Sequence, residues 1–145
     1  MILTGTYHRS LDEKKRLAIP KRLREELGDS GKACLFIAPD TDQALSIYTE
    51  STFEALAGNS PDSLKDPVSA RNLLRLRYSR AARLELDGQG RIRIPERLVE
   101  FARLQTDVVL LGVRDHVELW DQEHWNSFLE SHGQEFDDLA NRALM

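Results

Sequence analysis

One pattern occurs twice in this chain of 145 residues. Residues 11–20 read Leu-Asp-Glu-Lys-Lys-Arg-Leu-Ala-Ile-Pro, and residues 86–95 read Leu-Asp-Gly-Gln-Gly-Arg-Ile-Arg-Ile-Pro. At a constant offset of 75 positions, Leu11/Leu86, Asp12/Asp87, Arg16/Arg91, Ile19/Ile94 and Pro20/Pro95 coincide. Arg22/Arg97, Leu23/Leu98 and Glu25/Glu100 continue the match. A repeat this long in a chain this short implies a duplicated module, so the fold must use one structural unit twice.

Each copy reads as a hairpin followed by a short helix. In the first, residues 5–11 are extended, Asp12 to Lys15 supplies a turn, and Arg16-Leu-Ala-Ile returns. Period-two alternation puts Leu17 and Ile19 on one face, Arg16 and Ala18 on the other. In the second, Gly88 and Gly90 permit positive φ in the turn. Ile92 and Ile94 then take the core face while Arg91 and Arg93 share the solvent face. A proline after each return strand suits a helix's first turn, where its missing N–H would lack an intrahelical partner anyway. The expected helices are Pro20–Leu27, stopped by Gly28, and Pro95–Leu104, with Leu98, Phe101 and Ala102 as its apolar stripe.

The duplication continues more faintly. Ala33–Ala38 resembles Asp107–Gly112, and Ala44–Tyr48 resembles His116–Trp120. Both lead into amphipathic segments, with Phe53 and Leu56 in one and Trp125 and Phe128 in the other. Each half is therefore expected to be β-β-α-β-β-α, giving an α+β protein. The units are placed at 1–56 and 80–130, with a linker at 57–79 that includes a helix over 68–79 and a C-terminal helical extension at 131–145. The stretch Ala57–Pro67, with Gly58, Asn59, Ser60 and Pro61, is the expected flexible connection.

The net charge of −4 hides a segregation. Residues 1–32 carry +3, residues 33–70 carry −5, residues 71–105 carry +5 and residues 106–145 carry −7. Both basic quarters contain a copy of the repeat, and the local field decides where a polyanion docks. The single cysteine, Cys34, excludes an intramolecular disulfide and fits a reducing cytosol. It lies in an apolar run and reads as a small buried hydrophobe rather than a nucleophile. No apolar stretch reaches membrane-spanning length, and the N-terminus lacks signal-peptide character.

The shared polar pair is an Asp closing one strand and an Arg four residues on, opening the next. Across a tight turn the carboxylate can hold the guanidinium in a fixed orientation. For one copy, an ordinary turn Asp with a surface ion pair of little energetic value is the simpler reading. Duplication favours function instead, because drift would readily replace a merely solvated pair in one copy. An Arg at such a corner suits planar recognition of phosphate or a guanine edge.

Asp-x-x-x-Arg followed by apolar-x-Ile-Pro, duplicated in a chain of this length, resembles the MraZ family of bacterial transcriptional regulators. Gly5-Thr-Tyr near the start, Leu119-Trp-Asp and the closing helix agree, so the resemblance covers essentially the whole chain. One copy alone would indicate only the wider AbrB/SpoVT swapped-hairpin superfamily. The resemblance implies two swapped-hairpin units interlocked into a β-barrel with an intrachain pseudo-two-fold axis. It also implies double-stranded DNA as partner, at direct promoter repeats upstream of the division and cell-wall gene cluster. Self-association into a ring and a cytoplasmic, nucleoid-associated location follow from it as well.

Carried over residue by residue, Arg16 and Arg91 match the motif arginines, Asp12 and Asp87 the acidic members, and Lys14 a basic turn position. Gln89 lacks the corresponding charge. Two departures stand out. Lys15 replaces the glycine that family members usually carry before the first motif arginine, altering the turn's backbone or adding a phosphate contact. The customary N-terminal aromatic and arginine are here Ile2-Leu3-Thr4. The DNA-binding set is thus Arg16, Lys14 and Lys15, with Arg91 and Arg93 as a second, weaker surface. Arg71, Arg75 and Arg77 read as a solvated helical face. The expected function is a repressor that includes its own operon among its targets; the alternative is an oligomeric interaction scaffold or an antitoxin-like partner-binding protein.

No catalytic constellation is visible, and the chain does not read as an enzyme. His8, His116, His124 and His132 form no metal-ligand spacing. Asp12 and Asp87 each already have a partner Arg that favours the ionised form, which argues against paired catalytic carboxylates. No cofactor, metal, membrane or small-molecule substrate is expected.

Overall fold

Eight strands and six α-helices follow in the order of the repeat, in a computed structural model that describes residues 1–28, 34–57 and 66–144. The first half contributes β1 (Thr6–Ser10), β2 (Arg16–Ala18), α1 (Lys21–Glu26), β3 (Cys34–Pro39), β4 (Leu45–Thr49) and α2 (Glu50–Ala57). Next comes α3 (Pro67–Arg80), capped by Asp66, whose carboxylate accepts from Val68 N at 3.0 Å and Ser69 Oγ at 2.9 Å. The second half contributes β5 (Ala82–Glu85), β6 (Arg91–Arg93), α4 (Glu96–Ala102), β7 (Asp107–Val113), β8 (His116–Asp121) and α5 (Gln122–His132). A turn at Gly133–Glu135 leads into α6 (Phe136–Leu144). Most of the expected connection, including Gly58, Asn59, Ser60 and Pro61, lies outside the described residues, as does Ala33.

The halves exchange strands. The six-stranded antiparallel sheet runs β1-β7-β8-β4-β3-β5, and β2 pairs only with β6 in a separate two-stranded ribbon. Swapping each strand for its repeat counterpart reverses the six-strand order and leaves it otherwise unchanged. Thus β1 of the first half is held by β7 of the second, and β5 of the second by β3 of the first. The turn at residues 12–15 reverses the chain as its sequence predicts, but the strands on either side diverge to partners in the other half. Swapped-hairpin topology follows from that divergence.

The main core lies between the sheet and the ribbon. Leu17 and Ile92 from the ribbon, Ile19 and Ile94 beyond it, and Leu23 and Leu98 from α1 and α4 meet Leu35, Ile37, Leu45, Ile47, Leu110 and Leu119 of the sheet; all are buried. Each fully buried side chain of this size contributes roughly 1.5–3 kcal/mol. The outer face of the sheet is covered as well. Trp120 packs edge-on against Trp125 and Phe128 of α5, and Phe36 stacks on Phe53 of α2. Burial of both faces explains why β3 and β7 read as apolar runs rather than strict alternations.

Pro20 and Pro95 stand just before the helices rather than inside them, so α1 and α4 begin one residue later than their sequences suggest. Gly28, at φ 81°, closes α1 through its N–H to Glu25 O at 3.1 Å. At the equivalent stop of α4 the left-handed residue is Arg103, at φ 52°. Cys34 departs from expectation: it is half-buried at the start of β3, and Arg83 Nε donates to its sulfur at 2.8 Å.

Candidate nucleic-acid interface

The two repeat turns have the same hydrogen bonds, atom for atom. Asp12 Oδ1 accepts from Lys14 N at 2.9 Å and Arg16 N at 2.8 Å, while Oδ2 accepts from Arg16 Nε at 2.6 Å. Asp87 Oδ1 accepts from Gln89 N at 2.8 Å and Arg91 N at 2.9 Å, while Oδ2 accepts from Arg91 Nε at 2.9 Å. The main chain closes each turn reciprocally, through Asp12 N to Arg16 O and Lys15 N to Asp12 O, and through Asp87 N to Arg91 O and Gly90 N to Asp87 O. Hydrogen bonds from Arg16 N and Arg91 N, with the smaller contributions of the guanidinium and neighbouring amides, hold both carboxyls below the usual carboxylate range. The acid is thus the template of the turn. Because it engages Nε, each guanidinium is held in a fixed orientation that leaves its Nη groups out of the turn's own hydrogen bonds.

Lys15 does not change the turn. It adopts φ 61°, where the second copy has Gly90 at φ 73°. The first copy therefore accepts left-handed strain in a lysine backbone and gains a cation. At position 90 a side chain would in addition crowd a neighbour: a Cβ there would lie 2.7 Å from Arg24 Nη1, so that guanidinium would have to shift. Arg24 Nε in turn donates to Ile19 O at 3.1 Å, which fixes the guanidinium over the second turn. The sequence singled out no role for Arg24, and the lysine-to-glycine difference between the copies was its only signal.

Register assembles the basic residues differently from sequence order. Arg16 pairs with Arg93, Leu17 with Ile92, and Ala18 with Arg91. Ile19 N to Gly90 O at 3.0 Å and Ile94 N to Lys15 O at 2.9 Å lengthen the ribbon at both ends. Arg16, Arg91 and Arg93 share its outer face while Leu17 and Ile92 are buried beneath. Antiparallel pairing sets the two turns at opposite ends. At one end Lys14, Lys15 and Arg16 gather with Arg93 from the other copy. At the other end Arg91 has Ala18 opposite it and Arg24 nearby. Arg93 thus joins the first motif, not the second surface that its place in the sequence suggested.

The remaining arginines lie elsewhere. Arg77 donates to Tyr48 Oη at 2.8 Å and stands over that ring, so it braces α3 against the sheet. Arg71 and Arg75 are exposed on α3. Among the described residues no helix is long and apolar enough to cross a membrane.

A separate, three-residue-deep ribbon with cations on its outer face has the dimensions of a groove reader. The major groove of B-DNA admits a two-stranded β-ribbon, and arginine is the side chain best matched to guanine O6/N7 and to phosphate.

Comparison with known proteins agrees along the whole length. The sequence profile described as "MraZ protein, putative antitoxin-like" matches residues 2–76 and 78–145. A protein of Alkaliphilus metalliredigens named "Transcriptional regulator MraZ" is 36% identical over 142 residues, covering 95% of this chain and 94% of the relative. A protein of the same name from Limosilactobacillus fermentum is 35% identical over 136 residues, covering 94% and 92%. One from Lactiplantibacillus plantarum is 36% identical over 140 residues, covering 97% and 96%.

Proposed function

This chain belongs to the MraZ family, and from that premise we propose that it is a sequence-specific DNA-binding transcriptional regulator that reads DNA with the β2–β6 ribbon. The observation that carries the reading is the placement of Arg16, Arg91 and Arg93 on the outer face of a ribbon whose other face is core. The ribbon enters the major groove. Arg16, oriented by Asp12, offers its Nη edge to a base, and Lys14 and Lys15 hold phosphates. Orienting the guanidinium before contact lowers the conformational entropy lost on binding. Arg93 reinforces the Arg16 end, while Arg91, braced by Asp87 and beside Arg24, makes the weaker contact at the far end.

The finer reading is a repressor whose targets include its own operon, acting in the nucleoid as a ring-shaped homo-oligomer on direct repeats. A ribbon of this size makes few contacts, so engagement of several repeats by linked subunits raises the effective concentration for each later contact. Two exposed apolar faces support self-association: Leu73, Leu74 and Leu76 on α3, and Phe136, Leu139 and Leu144 on α6. Their charges are complementary, since α3 carries Arg71, Arg75, Arg77 and Arg80, whereas Asp137 and Asp138 open α6.

Selection of bound sequences from random double-stranded DNA tests the proposal, using the wild type, Arg16→Ala and Arg91→Ala. Enrichment of a short repeated element that Arg16→Ala abolishes supports it. Enrichment unchanged by Arg16→Ala shows that the ribbon is not the reader. The apolar face of α6 also favours a second reading, an antitoxin-like or scaffold protein that grips a protein partner. Absence of any enriched element, with light scattering still reporting an oligomer, would favour that alternative.

A further inference from the structure

Away from the ribbon, on the outer face of the sheet, three potential ligands converge that the sequence holds far apart. Asp40 follows β3, His116 opens β8, and Glu118 lies two residues further on the same strand. Strand β4 runs between them, with Ser46 directly opposite Glu118. One nitrogen or oxygen atom from each of Asp40, His116 and Glu118 lies within 4.8 Å of the other two. We propose that Asp40, His116 and Glu118 form a binding site for a divalent first-row transition-metal ion of the zinc type, clamping the two halves of the chain together.

The donor set suits such an ion. Imidazole favours zinc, iron and nickel over magnesium and calcium, and a site with three protein ligands leaves positions for water. His116 is oriented as metal-bound histidines usually are. Its Nδ1 lies 2.9 Å from Asp115 Oδ1, so an Nδ1–H donated there turns Nε2 toward Glu118 Oε2 at 3.1 Å. Two lone pairs that close need a proton or a cation between them, and the metal takes the proton's place.

Glu118 is anchored through the oxygen that the metal does not need, whereas both Asp40 oxygens accept a hydrogen bond and the ligating one would use its second lone pair. Glu118 Oε1 accepts from Trp120 Nε1 at 3.0 Å. Asp40 Oδ1 accepts from Thr41 N at 2.7 Å, and its Oδ2 accepts from Ser46 Oγ. Outer partners of this kind fix ligand orientation, and their loss typically costs 10–100-fold in affinity. The nearby cation, Arg77, is turned toward Tyr48 Oη at 2.8 Å. The repeat supplies a further argument. At the offset relating β4 to β8, His116 and Glu118 correspond to Ala44 and Ser46. The duplicated fold is therefore built without these side chains in the first half, and the cluster is an addition to one side.

The full-length protein, stripped with chelator and exchanged into metal-free buffer, is titrated with Zn2+ against a chromophoric competitor, then with Co2+ to read d–d absorption. We expect one ion per chain at micromolar affinity or tighter, with absorption typical of nitrogen and oxygen ligands. His116→Ala, Glu118→Gln and Asp40→Asn should each weaken binding at least 10-fold, while His124→Ala and His8→Ala leave it unchanged. Circular dichroism identifies any variant that fails to fold, and the two carboxylate-to-amide variants carry the test if His116→Ala does. No stoichiometric Zn2+ binding at micromolar affinity or tighter, or binding indifferent to all folded ligand variants, overturns the proposal.

Discussion

Arg16 stands directly across the ribbon from Arg93, a residue of the other repeat copy. Opposed residues on one face of an antiparallel pair have Cβ atoms roughly 4.5–5.5 Å apart, where like charges repel. Asp12 offsets one of the two charges through its 2.6 Å contact with Arg16 Nε. Among the described residues no carboxylate forms an ion pair with Arg93. The pair is therefore in its least favourable state when no anion is bound, and a phosphate or base edge relieves the repulsion.

Arg16→Ala should weaken binding to the selected element by about 1–3 kcal/mol, or roughly 5–150-fold, as expected for loss of a bidentate base contact. Arg91→Ala should cost clearly less. Arg93→Ala should couple to Arg16→Ala in a double-mutant cycle and add independently to Arg91→Ala. Fluorescence anisotropy at one fixed salt concentration measures all three. Equal losses for Arg16→Ala and Arg91→Ala would contradict the unequal ends of the ribbon.

Lys15→Gly separates folding from binding. It relieves a left-handed non-glycine residue at φ 61°, so the variant should be at least as stable as the wild type, by up to about 1 kcal/mol. It also removes one phosphate contact. Affinity should fall similarly on all sequences, and the slope of log K against log salt should shrink by about 1. Urea denaturation and a salt series give the two readouts.

Acid should open both turns. The carboxyls of Asp12 and Asp87 titrate lower in the folded protein than in the unfolded chain. The unfolded state consequently binds protons first, so their contribution to stability is complete above the ordinary value of about 3.9 and is lost as pH falls through the depressed native value. Asp12→Asn and Asp87→Asn remove this dependence. The difference in urea midpoint between wild type and either variant should be constant at neutral pH and narrow below about pH 4. A constant difference down to pH 2 would rule out the carboxylates as the titrating groups.

Gly112→Ala should destabilise the edge of the sheet. A Cβ at position 112 would lie 2.3 Å from Thr4 N, and backbone cannot swing aside as a flexible side chain can. The N-terminal strap bonded through Leu3 and Arg114 must move, at a cost of about 1–3 kcal/mol. Hydrogen exchange should locate the loss at Leu3 and β1. Protection there equal to wild type would show that the strap tolerates the methyl group.

Much of this was legible because local periodicity and turn chemistry are written over a few residues. Alternation at Leu17 and Ile19 and at Ile92 and Ile94 marked the buried side of the ribbon, and Asp12 and Asp87 marked the turns. Partner choice was not legible, since β1 makes its ladder about 100 residues away with β7 and nothing in Thr6–Ser10 encodes that distance. The same limit hid Arg93 beside Arg16 and Asp40 beside His116. The effect of Lys15 stayed open because left-handed strain depends on what surrounds a turn, and the group that crowds Gly90 belongs to Arg24, a helix residue outside the turn.

The reversed strand order also governs how the chain can be made. As synthesis proceeds from the N-terminus, β1 emerges with no ladder to join until Asp107–Val113 has left the ribosome, and β2 waits for Arg91–Arg93. The first half must therefore spend most of its translation with sheet edges open and its ribbon residues unpaired. Synthesis of the second half assembles both together, and the basic face comes into being only after Arg91–Arg93 has emerged.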